Sequence, residues 1–157
     1  MSQPLAFISS TCEDLKTYRV VARDVVLSAG FQPEMLEYFC ASGQPPLAEC
    51  LSRVSRCDVI VVIVAHRYGW IPSDQADGPD GPEKSVTWLE CECALNSGKE
   101  VLAFLIDRSV DWPDKLRDAH RLTMLLENDP DSLNELSVAA VKREIRGLAK
   151  FNRLLKF

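Results

Sequence analysis

The stretch "CDVIVVIVA", residues 57 to 65, constrains this chain more than any other. Its branched apolar residues run on without alternation, so a strand built from them meets apolar neighbours on both faces. Such strands belong to parallel sheets covered by helices on either side. "EVLAFLI" (100–106) repeats the pattern and reads as a second strand buried on both faces.

Around these strands the order is β-α-β-α-β-loop-α-β. "PLAFIS" (4–9) is a strand, and Ser10 with Glu13 forms a capping box at the next helix start. Leu15, Tyr18, Val21, Ala22, Val25 and Val26 recur on that helix, which ends at Gly30. "FQPEMLEY" (31–38) reads as an edge strand, and "PPLAECLSRVSRC" as a helix with proline at its entry. After 57–65 comes the polar loop "HRYGWIPSDQADGPDGPEK", read as a flexible rim or lid. A helix to Gly98 then leads into 100–106. Right-handed crossovers turn this order into a doubly wound α/β sheet.

Residues 113–157 read as helical, with a second capping box at Ser132 and Glu135. Leu133, Leu136, Ala140, Val141, Ile145, Leu148 and Leu155 form an apolar stripe there, opposite Lys142, Arg143, Arg146, Lys150, Arg153 and Lys156. A fifth strand is expected, if anywhere, around Leu122 to Leu126. At 157 residues, without a linker or repeat, the chain is expected to form a single domain, 1–157.

A net charge of −5 argues against a nucleic-acid scaffold, which needs a basic face. No apolar run approaches membrane-spanning length and no signal peptide precedes the first strand, so no membrane partner is expected. Six cysteines without a C-x-x-C pair, beside two histidines, give no zinc pattern and suit a reducing, cytoplasmic compartment. No metal site, P-loop, G-x-S-x-G or H-E-x-x-H is expected. The acidic loop lacks calcium-loop spacing.

In open α/β sheets, ligands bind beyond the carboxyl ends of the strands. Ser9, Ser10 and Thr11 end the first strand there, as anion contacts or simply as a helix cap. "AHRYGW" places Arg67, Tyr68, Gly69 and Trp70 on the rim, as a stacking platform or a packed turn. His66 has no partner in the pattern and reads as a turn residue. In "SVTWLECECALNSGKEVLAFLI", Thr87 and Glu90 fit a T-x-x-E box. Glu90 either bonds back to the Thr87 amide or faces the ligand edge. Glu92 lies about 200° further round the helix, so only one of the two acids can point inward. Arg19 and Arg23 either reach a phosphate or form surface salt bridges.

"FISSTCEDLKTYRVVARDVVLSAGFQPEMLEYF", "CDVIVVIVAHRYGW" and "SVTWLECECALNSGKEVLAFLID" together resemble a FISST-type domain of unknown function. That family often stands N-terminal to STAND NTPase signalling proteins. It is similar in layout to Toll/interleukin-1 receptor (TIR) domains and, more distantly, to nucleoside deoxyribosyltransferases. The match covers residues 4 to 107.

The resemblance implies a flavodoxin-like, three-layer fold with strand order 2-1-3-4-5. It implies that Glu90 is the catalytic glutamate, aligned through Ala94, Leu95, Gly98 and Lys99. Taken with the rim residues above, an NAD site is expected from Ser9, Ser10, Arg19, Tyr68, Gly69, Trp70 and Thr87, with Tyr68 or Trp70 as the ring platform. Here Ser10-Thr11 replaces the usual tyrosine of the TIR opening. NAD is expected as substrate or ligand rather than as a resident cofactor, in a signalling or antiviral defence effector of innate-immunity type. The alternatives are a non-enzymatic module that self-associates or contacts other domains of a signalling protein, and a sensor of a nucleotide second messenger.

Overall fold

The computed structural model describes residues 2–39, 45–75, 83–128 and 135–156. Four strands form one parallel sheet in the order β2-β1-β3-β4: β1 Leu5–Ser10, β2 Gln32–Met35, β3 Val59–Val64 and β4 Glu100–Leu105. The described helices are α1 (Lys16–Ser28), α2 (Leu36–Phe39), α3 (Leu47–Arg56), α4 (Val86–Asn96), α5 (Asp118–Asn128) and α6 (Glu135–Leu154). The architecture is α/β and consistent with a flavodoxin-like fold.

The unbroken apolar character of β3 follows from its place between two cores. Ile60, Val62 and Val64 join Phe7 of β1, Cys91 and Ala94 of α4, and Phe151 of α6 on one face. Val59 and Val61 join Ala6, Ile8, Met35 and Val26 of α1 on the other. Trp88 and Phe151 stack at 5.4 Å, fastening α6 over α4. The layers are therefore uneven, with α4 and α6 on one side and α1 on the other.

Several boundaries differ from the sequence reading. Ser10 is the last residue of β1, and α1 starts at Lys16 behind Leu15 with no side-chain cap, so the Ser10–Glu13 box does not form. The second strand stops at Met35, where Leu36–Phe39 turn helical. Leu122 to Leu126 lie inside α5, not in a fifth strand. Among the described residues β4 is therefore an edge, and Leu102 and Phe104 are 43% and 58% exposed rather than buried. On α1, Leu15 and Val26 turn inward while Tyr18, Val21 and Val25 face outward. The exposed basic row of α6 stands where the spacing puts it.

Residues 76–82 of the acidic loop, Cys40, Ser132 and Leu133, and the side chain of Leu136, lie outside the described residues. Among the described residues, no helix is long and apolar enough to cross a membrane.

Candidate functional site

Beyond the carboxyl ends of β1 and β3 lies a cleft of about 660 Å³, closed on one side by the first turns of α4. Ser10, Arg19, Gly69, Trp70, Thr87 and Glu90 line it.

Glu90 enters this cleft because the cap of α4 is made by another residue. Ser85 precedes the helix, and its hydroxyl accepts the Trp88 amide at 3.3 Å. Thr87, one turn before Glu90, makes no cap; its buried hydroxyl has no hydrogen-bond partner. Glu90 instead accepts a hydrogen bond from the Ser9 hydroxyl at the end of β1. Burial pushes its carboxyl up to about 7, while the Ser9 bond and the positive charge of Arg19 hold it from rising further. A carboxyl in that range exchanges protons near neutral pH, which an ordinary surface glutamate does not.

Ser9 is buried behind Glu90 and is not on the cleft wall. Ser10 is on the wall, but its oxygen is committed, donating to the Thr11 carbonyl at 2.7 Å and accepting from Arg19 Nη1 at 2.8 Å. Arg19 is 1% exposed, which corrects the surface salt bridge expected of it. Its guanidinium forks onto Glu37 at 2.6 and 2.5 Å, joining α1 to α2. Arg23 is the surface residue of the pair and bonds its neighbour Asp24.

Tyr68 does not reach the cleft. Its ring packs in the core edge-on to Trp88, and its hydroxyl donates to the Glu83 carbonyl at 2.8 Å. The rim aromatic is Trp70, whose carbonyl accepts the Val86 amide at 2.9 Å and so ties the rim to the start of α4. Gly69 makes this possible. At φ +89° it occupies left-handed backbone, and a Cβ there would lie 2.8 Å from the Thr11 methyl. His66 lies outside the cleft lining, its ring 5.8 Å from that of Trp112.

The far wall was not foreseen. Asp118 of α5 accepts the Tyr68 amide at 2.7 Å and faces Arg67 at 3.8 Å. Arg121 bridges Asp118 and Glu144 of α6. Asp14 also lines the cleft, with both carboxylate oxygens buried and without hydrogen-bond partners. Burial raises its carboxyl above the ordinary range. The available signal for Asp14 was its place in "FISSTCEDL"; α5 and α6 carry no comparable pattern.

The three arginines of the lining are all engaged by carboxylates, Arg19 with Glu37, Arg67 with Glu13, and Arg121 with Glu144. The carboxyls of Glu90 and Asp14 have no cationic hydrogen-bond partner of this kind. A ligand here meets an aromatic rim, hydroxyls and three buried acids, of which Asp118 is engaged by arginines and Glu90 and Asp14 are not. Such a surface suits a sugar, or a ring that carries positive charge.

Compared with known families, residues 5–155 match the model of a domain of unknown function (DUF4062). The match takes in the α5–α6 wall as well as the sheet. No curated protein matches the chain.

Proposed function

The chain belongs to the DUF4062 family, whose function is unknown, and from that premise we propose that its cleft binds NAD and hydrolyses the nicotinamide–ribose bond. The supporting observation is that Glu90 lies in the cleft against Ser9, with another residue capping its helix.

The proposed reaction needs little acid help, because nicotinamide departs neutral. The carbon–nitrogen bond breaks with its electron pair going to the pyridinium nitrogen, leaving an oxocarbenium-like ribosyl carbon. The Glu90 carboxylate stabilises that positive carbon. Water then adds to the carbon, and its proton passes to Glu90, whose carboxyl at about 7 can accept and release it. Trp70 stacks on the planar ring, and Ser9 orients the acid. The diphosphate would recruit Arg67 or Arg121 by displacing Glu13 or Glu144. On this reading the domain acts as a TIR-like signalling or defence effector.

Calorimetric titration with NAD tests the binding half of the proposal. Trp70→Ala is expected to weaken binding about two- to tenfold, the scale of one lost aromatic stack. Undiminished binding by a folded Trp70→Ala protein would remove the platform from the proposal.

A further inference from the structure

The open edge of the sheet carries a second message, independent of the cleft. Ile106 donates its amide to the Val64 carbonyl at 2.9 Å, so the even-numbered residues of β4 direct their backbone groups at β3. The parallel ladder alternates, and Val101, Ala103 and Leu105 therefore present N–H and C=O groups to the open edge. No described strand pairs there. Natural edges are usually blunted by proline, an inward charge or a bulge. "VLAFLI" has no proline and no charge, and the β3–β4 register runs unbroken from Val59–Glu100 to Val64–Leu105.

The side chains of this edge are also open. Leu102 pairs with Val61 and Phe104 with Ile63, which puts both on the α1 face of the sheet. There they remain 43% and 58% exposed. Charges stand only at the ends of the strand, Lys99 and Glu100 at its start and Asp107 and Arg108 after its end.

We propose that β4 pairs antiparallel with β4 of a second copy about a twofold axis at Ala103, joining the two sheets into one. With the axis there, Ala103 exchanges both backbone hydrogen bonds with its counterpart, and Val101 does so with the partner's Leu105. Leu102 meets the partner's Phe104 across a non-hydrogen-bonded pair, the closest side-chain approach in a ladder. Lys99 meets the partner's Asp107, and Glu100 lies diagonal to the partner's Arg108. Neighbouring registers lose this match. An axis at Leu102 sets Glu100 against Phe104, and an axis at Phe104 sets Val101 against Asp107. Backbone alternation admits an axis at any of these three residues, and charge complementarity selects Ala103 among them. The contact is isologous, so it closes as a dimer and does not extend into a filament.

Sedimentation velocity over a wide concentration range tests this. Wild type is expected to pass from monomer to dimer. Ala103→Pro removes only an outward N–H, as an edge strand tolerates, and is expected to weaken the dimer at least about tenfold through two lost hydrogen bonds. Lys99→Glu and Asp107→Lys should each weaken it, and the double variant should restore it. Under mild oxidation Ala103→Cys should cross-link to its own copy, since a hydrogen-bonded pair sets Cα atoms about 5.5 Å apart. A monomer at every concentration, a dimer indifferent to Ala103→Pro, failure of the charge reversal to restore pairing, or cross-linking at Leu102→Cys but not Ala103→Cys would each overturn the proposal.

Discussion

Ser9 donates its hydroxyl to Glu90 across 81 residues of sequence, tying the end of β1 to the second turn of α4. This bond decides which way Glu90 faces. A glutamate held from the sheet side leaves its other oxygen for the cleft, whereas one turned back on its own helix would not. It also stabilises the ionised carboxylate and so opposes the effect of burial.

Stability should carry the signature of that burial. The Glu90 carboxyl lies at about 7 in the folded chain against an ordinary 4.5. Between these values the folded state keeps a proton that the unfolded state has released, so this group's contribution falls as pH rises from 4.5 to 7 and then levels. The gap corresponds to about 3 kcal/mol. Glu90→Gln should abolish this slope and be the more stable form at pH 8, by roughly 1–3 kcal/mol in urea unfolding. A slope unchanged in the variant would mean another group carries it.

Removing the hydroxyl should move the acid further. Ser9→Ala deletes the hydrogen bond that lowers the Glu90 carboxyl, leaving burial less opposed. The midpoint of the Glu90 titration, followed by NMR of the carboxyl carbon, should rise above that of wild type. A fall or no change would contradict the assigned partner.

Arg19 and Arg23 are one helical turn apart and should behave as opposites. Arg19→Ala leaves Ser10 and Glu37 without their donor and opens space among buried groups, and should lower stability by about 2–4 kcal/mol. Arg23→Ala, at a half-buried surface position whose side chain hydrogen-bonds its neighbour Asp24, should leave the thermal midpoint unchanged. Equal effects would contradict the burial difference between them.

Gly147 should reverse an ordinary rule. Alanine in a helix normally stabilises relative to glycine by about 1 kcal/mol. Here the added Cβ would lie 2.6 Å from the Tyr68 ring, which the core holds in place. Gly147→Ala should therefore destabilise by about 1–3 kcal/mol, through α6 pushed off the sheet. A stabilised variant in thermal unfolding would show that Tyr68 can give way.

The fold was legible where one residue pattern has one physical cause. The unbroken apolar run of β3 required cover on both faces, and it has it. The similar run of β4 did not, because such a strand looks the same whether a neighbour follows or the sheet simply ends. On α1 the apolar spacing hid two stripes, Leu15-Ala22-Val26 inward and Tyr18-Val21-Val25 outward. Arg19 sits in the inward row, where a sequence pattern has no means of marking a buried cation paired to Glu37 from another helix.

The site was legible to a similar extent. Glu90, Trp70, Gly69 and Thr87 do come together on the cleft, since all flank strand ends or the start of α4. Tyr68 was adjacent in sequence to these but turns the other way, because its amide and hydroxyl are claimed by Asp118 and the Glu83 carbonyl. Ser85, two residues before Thr87, caps α4 in place of the Thr87–Glu90 box, a difference that helix phase alone decides. Asp118, Arg121 and Glu144 arrive from distant helices, where chain folding and not local spacing makes the wall.

Nicotinamide release is the measurement that bears most directly on Glu90. Concentrated protein, with and without a crowding agent, is incubated with NAD beside Glu90→Gln, with folding of both verified by circular dichroism. The account predicts release by wild type, rising as pH passes through about 7 where the carboxylate forms, and none above background from the variant. Equal release by the two proteins, or none by wild type in any assembled state, would contradict it.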